Sequence, residues 1–358
     1  MELYRQYAQD VISGKVVTGK YIRLAAKRFF AFMEDDRYEF REKSVSRVIE
    51  FISILTHYVG KHAGKKFILE PWQAFIIASI YGFYVREDGS RLIQYVYIEE
   101  ARKNGKSALA AALCLYHLIA DGESGAEVYL AANSRDQVKL SSWPLCSNFA
   151  KGIDPNGELL DVFRDTVRYD SVQSWLKVLA ADSTKLDGPN PSMFLLDEYH
   201  AARSGGLKDV LQSGQGMRDN PMAVIITTAG FDKLGPCYQY RIMCTEVLNG
   251  LKTDDSLFAA IYSIDEADDW KDENVWIKSN PNLGVTVKLS YLRRQAVKAV
   301  NSPSEEVGIK TKNFNMWCDS SSVWIPEHYI LSVSRNINLT ISRTGAAMPA
   351  LTFPARAT

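Results

Sequence analysis

Residues 98–118 read IEEARKNGKSALAAALCLYHL: a strand-like run, a tight turn ending in Gly105-Lys106-Ser107, and a helix rich in small apolar residues. Such a unit cradles phosphate, because backbone N–H groups of the turn and the helix N-terminus point at anionic oxygens. The usual pattern is GxxxxGK[ST], and here Glu100 replaces the first glycine. The stretch predicts a nucleotide-phosphate site of the P-loop type, with a structural Asn-Gly turn as the alternative.

A second segment supplies the carboxylates that such a site requires. Residues 193–200 read MFLLDEYH, in which the four apolar residues predict a buried parallel strand. The acids then fall at its C-terminal end, where open α/β sheets bind ligands. Lys106 is predicted to reach the β- and γ-phosphates, and Ser107 and Asp197 to hold Mg²⁺. Glu198 is predicted to orient and deprotonate the attacking water, although an exposed acidic pair at a strand end is the alternative.

Other side chains near these segments are candidates for the same site. Arg102 lies inside the turn, where a guanidinium would stabilise charge on the transferring phosphoryl group; a solvated arginine is the alternative. Asn104 belongs to the same turn and is predicted to help enclose the nucleotide. The strand MAVIITTAG ends with Thr227, Thr228, Ala229 and Gly230. The two threonine hydroxyls could sense the γ-phosphate, and a simple strand end is the alternative.

Trp72 and Gln73 precede the cradle in the segment LEPWQ. A glutamine can make paired hydrogen bonds to an adenine edge, and an aromatic ring can stack on a base. Pro71 suits the first turn of a helix at this point, so a tryptophan buried at a helix start is the alternative.

The composition sets few limits on function. The chain has 358 residues, and its 42 Lys and Arg balance 42 Asp and Glu, which neither requires nor excludes nucleic acid as a partner. No apolar run reaches the length of a membrane span, and the start lacks the apolar stretch of a secretory signal, so no membrane association is expected. The five scattered cysteines are expected to be reduced thiols rather than zinc ligands or disulfides.

The hydrophobic pattern divides the chain into four regions. Residues 1–66 show helical periodicity, and residues 67–265 alternate between strand and helix signals. This alternation predicts an α/β fold with a mostly parallel sheet covered by helices on both faces. Residues 266–330 predict a helical lid or linker region, whereas residues 331–358 are rich in Ser, Thr, Ala and Pro and show no periodicity.

Two local predictions fall inside the alternating region. Residues 167–182, VRYDSVQSWLKVLAAD, predict a hairpin-like pair of strands. The helical segment RDQVKLSSWPLCSNFAKG is expected to be broken at Pro144, because proline removes a backbone donor and clashes with the preceding turn.

The motifs, in their order and spacing, resemble those of the large subunit of tailed-phage terminases, with the closest likeness to the HK97-like branch. The resemblance runs from about residue 5 to residue 330. The segments that carry it are YAQDVISGKVV, LEPWQ, ARKNGKS, STKLDGPNPSMFLLDEYH, ITTAG, SNPNLG and FNMWCDSSSVWIP. The resemblance implies a P-loop NTPase fold of the additional-strand, catalytic-glutamate type. It also implies an ATP-hydrolysing motor that translocates double-stranded DNA into a prohead.

The resemblance also implies roles for single residues. Lys106, Ser107 and Arg102 fall on phosphate-binding positions, Asp197 on the Mg²⁺ position and Glu198 on the catalytic base. Residues 227–230 match the motif that couples hydrolysis to movement, and Gln73 matches the position associated with adenine. The implied partners are double-stranded DNA, the portal protein and the terminase small subunit. The implied assembly is a homo-oligomeric ring on the portal, in the cytoplasm of the infected bacterial host.

Full-length members of this family carry a C-terminal nuclease domain with an RNase H-like fold. We expect this chain to lack that domain, and therefore nuclease activity, because no strand with a metal-binding aspartate follows Pro326. Residues 331–358 are expected to be an aberrant, disordered tail in its place, and a reading-frame shift is our hypothesis for its origin. Two functional alternatives stay open: a helicase-like nucleic-acid translocase, and an inactive remnant that only binds nucleotide or partners.

Overall fold

The computed structural model describes residues 2–132, 138–139, 141–179 and 188–319. Its strands are β1 (Tyr38–Phe40), β2 (Phe83–Val85), β3 (Tyr95–Glu99), β4 (Glu127–Ala131), β5 (Asp161–Val162), β6 (Thr166–Tyr169), β7 (Ser174–Leu179), β8 (Met193–Asp197), β9 (Met222–Thr227) and β10 (Leu257–Ile261). Its α-helices include α1 (Leu3–Ile12), α2 (Lys20–Glu34), α3 (Glu42–Ile54), α4 (Pro71–Tyr81), α5 (Lys106–Ile119), α6 (Ser142–Ile153), α7 (Gly206–Ser213), α8 (Pro236–Leu248), α9 (Leu289–Asn301) and α10 (Pro303–Phe314). Short 3₁₀ helices lie at Gly60–His62, Asp170–Val172, Tyr199–Ala201, Gly214–Met217 and Glu273–Lys278.

The central sheet of the described residues has eight strands in the order β10-β3-β9-β8-β4-β7-β6-β5. Neighbouring strands from β10 to β7 run parallel, and β6 and β5 form an antiparallel edge. Strand β9 lies between β3, which leads into the turn with the GKS sequence, and β8, which ends in the acidic pair. This inserted strand is the additional strand of the predicted fold class, so the α/β P-loop prediction is confirmed.

The register of the sheet brings three loops to one edge. Glu99 at the end of β3 pairs with Thr227 at the end of β9, and Asp197 at the end of β8 pairs with Ile226. Because parallel strands end on the same side of a sheet, the turn, the acids and the threonines are neighbours.

Helices cover the sheet on both faces. Every residue of β8 and β9 is buried, although successive side chains point to opposite sides of a strand. Helix α5 packs against β4, β8 and β9, while α2, α4 and α8 pack against β10. Among the described residues, no helix combines the length and the apolar character that a membrane crossing requires.

Three helices occupy much of residues 1–66, as their periodicity predicts, but the region also contains a strand. Strand β1 pairs antiparallel with β2 in a separate two-stranded sheet. Its three residues are too few to show a period in the sequence. Phe29 packs edge-on against Phe75 and Phe83, at centroid distances of 5.6 and 5.3 Å, and Phe40 lies 4.9 Å from Phe83. This region therefore shares a core with the helix that precedes the sheet.

The hairpin prediction is confirmed. Strands β6 and β7 pair antiparallel, with Thr166 opposite Lys177. The predicted break in the helical segment lies just before Pro144 rather than at it, because residues 138–139 are helical, residue 141 is in a turn and α6 begins at Ser142. Pro144 does not interrupt a helix, because it is the third residue of α6. The first four N–H groups of a helix have no intrahelical acceptor, so a proline there removes no hydrogen bond.

The helices after β10 form a small core of their own. Trp270 and Trp276 pack on Phe314 at ring-centroid distances of 5.6 and 5.3 Å. Helices α9 and α10 pack on each other around this core, in keeping with the helical prediction for residues 266–330, of which residues up to 319 are described. The tail predicted for residues 331–358 lies outside the described residues.

A buried ion network joins the segment that precedes β3 to the end of α5 and the residues after it. The Arg91 guanidinium donates to Asp121 at 2.7 Å, and both side chains are almost fully buried. His117 Nδ1 lies 3.1 Å from the same carboxylate, and its Nε2 lies 3.0 Å from the Tyr81 hydroxyl. Burial raises the pKa of Asp121, but His117 and Arg91 outweigh it and hold the pKa below its usual value.

We expect Asp121→Asn to destabilise the fold by about 3–5 kcal/mol, because it leaves the buried Arg91 charge without its partner. The pKa of Asp121 is lower in the folded protein than in the unfolded chain. Its contribution to the free energy of unfolding of the wild type is therefore present above about pH 4 and is lost as the pH falls below that value. Denaturant melts at several pH values measure both effects. Asp170→Asn, which breaks an exposed pair with Arg168, is the control. Equal stability of the Asp121 and Asp170 variants would contradict the assignment.

Candidate active site

The turn between β3 and α5 has the backbone shape of a phosphate cradle. Gly105 has φ +110°, in the left-handed region that glycine occupies without strain. Lys103 also has a positive φ of 73°, and the Thr286 hydroxyl donates to its carbonyl at 2.7 Å. Lys106 begins α5 and is buried, while Ser107 in the same first turn is half-buried. The N-terminus of this helix lies at the sheet edge where the acids lie.

The turn is held from behind by a buried asparagine cluster. Asn104 donates from Nδ2 to the Ala101 carbonyl and to Asn280 Oδ1, both at 3.0 Å. Its Oδ1 accepts the backbone N–H of Asn282 at 3.0 Å, and the Asn282 side chain donates back to the Asn104 carbonyl at 2.5 Å. The Asn104 side chain, predicted as part of the nucleotide site, is therefore occupied in fixing the turn. In the sequence, residues 280–282 stand out only as part of the SNPNLG segment that carries the family resemblance.

The acids at the end of β8 lie beside the cradle lysine. Lys106 Nζ is 3.7 Å from Glu198 Oε1. Asp197 is almost fully buried and its Oδ2 accepts the Ser142 hydroxyl, while its Oδ1 has no hydrogen-bond partner among the described residues. Glu198 has φ +53°, an uncommon backbone for a residue with a side chain, and begins a short 3₁₀ turn. The structure thus brings Lys106, Asp197 and Glu198 into one place.

The surroundings of the two acids shift their pKa values in opposite directions. Burial, reinforced by the charge of Glu198, raises the pKa of Asp197. Burial also pushes the pKa of Glu198 up, but Lys106, His200 and Arg102 outweigh it, and the pKa of Glu198 lies below its usual value. Glu198 is therefore ionised at neutral pH and able to accept a proton. The partnerless Asp197 Oδ1 is an oxygen of the kind that Mg²⁺ binds, so the residues fit that ion.

The described residues hold no group of three or more His, Cys, Asp or Glu side chains placed to bind a metal by themselves. A Mg²⁺ site of the nucleotide type does not need one, because phosphates and waters supply most of the ligands. Arg102 is exposed at the turn, and its charge contributes to the pKa of Glu198, so it lies near the acids without a side-chain hydrogen bond to them.

His200 joins the acidic strand to its neighbour β9. Its Nδ1 lies 3.2 Å from Glu198 Oε2 and 3.1 Å from Thr227 Oγ1, and its backbone N–H donates to the same hydroxyl at 2.9 Å. Thr228 Oγ1 is 3.4 Å from the imidazole. Burial lowers the pKa of His200, which keeps the ring neutral at physiological pH. The sequence showed only an isolated histidine after the acidic pair and gave it no role.

The end of β9 is tied to the helices after the sheet. The Ala229 N–H donates to Asn315 Oδ1 at 2.6 Å, and Asn315 Nδ2 donates to the Tyr262 carbonyl at 2.8 Å. A Cβ on Gly230 would lie 3.0 Å from both His200 Cβ and Trp317 Cζ3, which is tighter than an ordinary van der Waals contact. The segment predicted to sense phosphate thus has the acidic strand on one side and the end of α10 on the other.

The candidate base-binding residues have different surroundings. Trp72 is buried, its indole N–H donates to Asn282 Oδ1 at 2.8 Å, and its ring lies edge-on to Tyr262 at 5.4 Å, which favours the packing interpretation. Gln73 Oε1 accepts the Glu70 N–H at 3.0 Å in a capping box at the start of α4. Gln73 also lines a cleft of about 360 Å³ next to Gly105, together with His57, His62, Lys65, Lys66 and others. This cleft is the open space adjoining the cradle in which a base could lie.

Two family models match the chain side by side. The model described as the terminase large subunit ATPase domain matches residues 71–246, and the one described as the terminase large subunit endonuclease domain matches residues 251–334. The first match contains the cradle, the acidic pair and the threonine segment.

The chain is also similar to individual proteins, among them a phage terminase large subunit. Protein YmfN of Escherichia coli strain K12 is 35% identical over 182 residues, which are 51% of this chain and 39% of YmfN. The terminase large subunit of Enterobacteria phage HK97 is 25% identical over 278 residues, 74% of this chain and 51% of that protein. The crystal structure of the HK97 large terminase superposes with a TM-score of 0.64 at 23% identity, covering 76% of this chain and 55% of that one, and shows a shared fold. The chain thus spans about half the length, or less, of these relatives.

The expectation that the nuclease domain is missing is not supported, because the endonuclease-domain model matches residues 251–334. The expectation depended on finding one strand with an aspartate after Pro326, whereas the match begins well before that point. In the described part of this segment, β10 completes the central sheet, and α9 and α10 form the small core beside it.

We expect Gly230→Ala to destabilise the fold by about 1–3 kcal/mol, because the added methyl group forces His200 or Trp317 to move. Gly216→Ala is the matched control, since a Cβ there meets nothing within 4 Å. Thermal or urea denaturation measures the difference between the two variants. Equal unfolding midpoints for the two variants would refute the close packing around Gly230.

Proposed function

We propose that the chain is the ATP-hydrolysing motor subunit of a terminase, which translocates double-stranded DNA into a prohead. The proposal is supported by the two terminase large-subunit models that match the chain side by side and by its similarity to the HK97 protein. The observation that carries the proposal is the approach of Lys106 to Glu198, 3.7 Å apart, at the edge where β3, β9 and β8 end. Parallel strands deliver the cradle and the acids to this edge from positions far apart in the chain. No other grouping in the described residues offers the parts of a phosphoryl-transfer site.

The nucleotide would bind along the N-terminus of α5. The N–H groups of residues 105–107 and the Lys106 ammonium would hold the phosphates, and the exposed Arg102 would reach them from the mouth of the turn. The base would lie next to the cradle, in the cleft beside Gly105 that Gln73 lines, with Gln73 Nε2 as its candidate donor.

The fit of the residues supports Mg²⁺ as a cofactor. Asp197, through its partnerless Oδ1, and the Ser107 hydroxyl would hold the ion. When bound, Mg²⁺ neutralises charge on the phosphate oxygens.

Glu198 is the proposed general base. Its carboxylate is ionised and is paired with Lys106 at 3.7 Å. Bound phosphates compete for the Lys106 ammonium, which weakens this pairing and leaves the carboxylate free to take a proton from the attacking water. His200, neutral and in contact with Thr227, keeps the same carboxylate positioned from its other side. The positive charge of Arg102 then offsets the charge that develops on the transferred group.

Movement would be coupled to hydrolysis through residues 227–230. His200 links them to the base, and Asn315 links them to the end of α10. A shift of the base on loss of the γ-phosphate is therefore transmitted by hydrogen bonds to the helices after the sheet. These helices also contact the turn directly, since the Arg102 N–H donates to the Lys312 carbonyl at 3.0 Å.

The partners follow from the family. Double-stranded DNA, the portal protein and the terminase small subunit are the proposed partners, with several copies of the chain in a ring on the portal, in the cytoplasm of the infected bacterium. Because a motor must hold DNA of any sequence, its contacts would be to phosphates and its DNA affinity would fall steeply with salt.

We expect Glu198→Gln to lower ATP turnover by about 10²–10⁴-fold while nucleotide binding persists, because only the base is lost. Lys106→Ala is expected to abolish turnover and to weaken binding. A phosphate-release assay together with calorimetric binding of ATP separates the two effects. Glu87→Gln and Lys271→Ala, which change exposed residues outside the turn and the acidic segment, are the matched controls. Turnover at the wild-type rate in either folded site variant would refute the assignment.

A further inference from the structure

Glu100 places a carboxylate inside the cradle. The residue is fully buried, and its Oε1 accepts the backbone N–H of Lys106 at 2.9 Å. Its second oxygen, Oε2, is also buried and has no hydrogen-bond partner among the described residues. The usual cradle has a glycine here and thus no side chain that could enter the turn.

The N–H that Glu100 occupies is one that a phosphate would require. It lies at the start of α5, where open backbone donors and the helix dipole favour an anion. A carboxylate bound there satisfies the same donor with the same charge sign as a phosphate oxygen. The two anions cannot both approach the Lys106 N–H without strong repulsion.

We propose that the Glu100 carboxylate is a built-in competitor of the nucleotide, which must release the Lys106 N–H before the phosphates bind. The inference rests on the proposed function, because it concerns the same cradle. It assigns to Glu100 a role in setting nucleotide affinity: the chain binds nucleotide more weakly than it would without this charge.

A purely structural role explains the geometry less well. A carboxylate that served only to brace the turn would be expected to have both buried oxygens bonded, because an unsatisfied buried acceptor is costly. The turn is already braced by Asn104, which bonds Ala101, Asn280 and Asn282. The unbonded Oε2 therefore indicates that the hydrogen bonding of Glu100 is not fully satisfied while its side chain occupies the Lys106 N–H.

The electrostatic surroundings make such a change accessible. Burial raises the pKa of Glu100 to about 7, although the Lys106 charge and its N–H oppose the rise. Tyr262 also faces this carboxylate, and burial keeps its hydroxyl protonated by raising its pKa. Near neutral pH the carboxyl group can thus become neutral when a phosphate approaches, and nucleotide binding would take up protons.

The test is ADP binding by calorimetry, without Mg²⁺ and at about pH 8, where Glu100 is largely ionised. We expect Glu100→Gln, which keeps the shape and removes the charge, to bind ADP about tenfold or more tightly than the wild type. Titrations in two buffers of different ionisation enthalpy are expected to show proton uptake with the wild type and none with the variant. Glu87→Gln, an exposed change of the same kind, controls for net charge.

Each outcome decides the inference. Unchanged or weaker ADP binding by a folded Glu100→Gln protein would overturn it, while the proposed function would stand as long as the wild type binds ADP and Lys106→Ala does not. Binding by the variant but not by the wild type would support it. Absence of binding in both would overturn the inference and the proposed function together. If Glu100→Gln fails to fold, Glu100→Gly restores the usual cradle residue and carries the same expectation.

Discussion

The electrostatic pairing of Lys106 with Glu198 is the constraint on which the site depends. Two oppositely charged groups 3.7 Å apart, largely removed from solvent, attract each other strongly, and each is poised to exchange this partner for a ligand. The sheet makes the pairing possible, because β9 lies between β3, which leads into the turn before Lys106, and β8, which ends just before Glu198. The fold thus creates a gap at its edge that a phosphate tail and an ion would fill.

The cradle is fixed by residues that never touch a nucleotide in this account. Asn104, Asn280 and Asn282 are buried and bonded to one another, so the turn is joined to the segment before α9. On the other side of the site, Asn315 joins the end of β9 to the end of α10. Since both connections lead to the same small helical core, that core is positioned to respond to the state of the site.

The sequence predicted the parts of the site that depend on local pattern. A strand, a glycine turn and an apolar helix around Lys106, and a buried strand before Asp197, are local signals, and the structure contains both. Contacts such as Asn104 with Asn280 are formed between residues 176 positions apart and leave no local signal. The inward direction of Glu100 and the bridging position of His200 follow from the backbone of their turns and from packing, which no spacing rule encodes.

A structure of the Glu198→Gln protein with ATP and Mg²⁺ would show directly whether the nucleotide replaces residue 198 as the partner of Lys106. We expect the triphosphate at the N-terminus of α5, Lys106 Nζ moved from residue 198 onto the phosphates, and the ion held by Ser107 and Asp197. A nucleotide bound elsewhere, or an ion held without Asp197, would contradict this expectation.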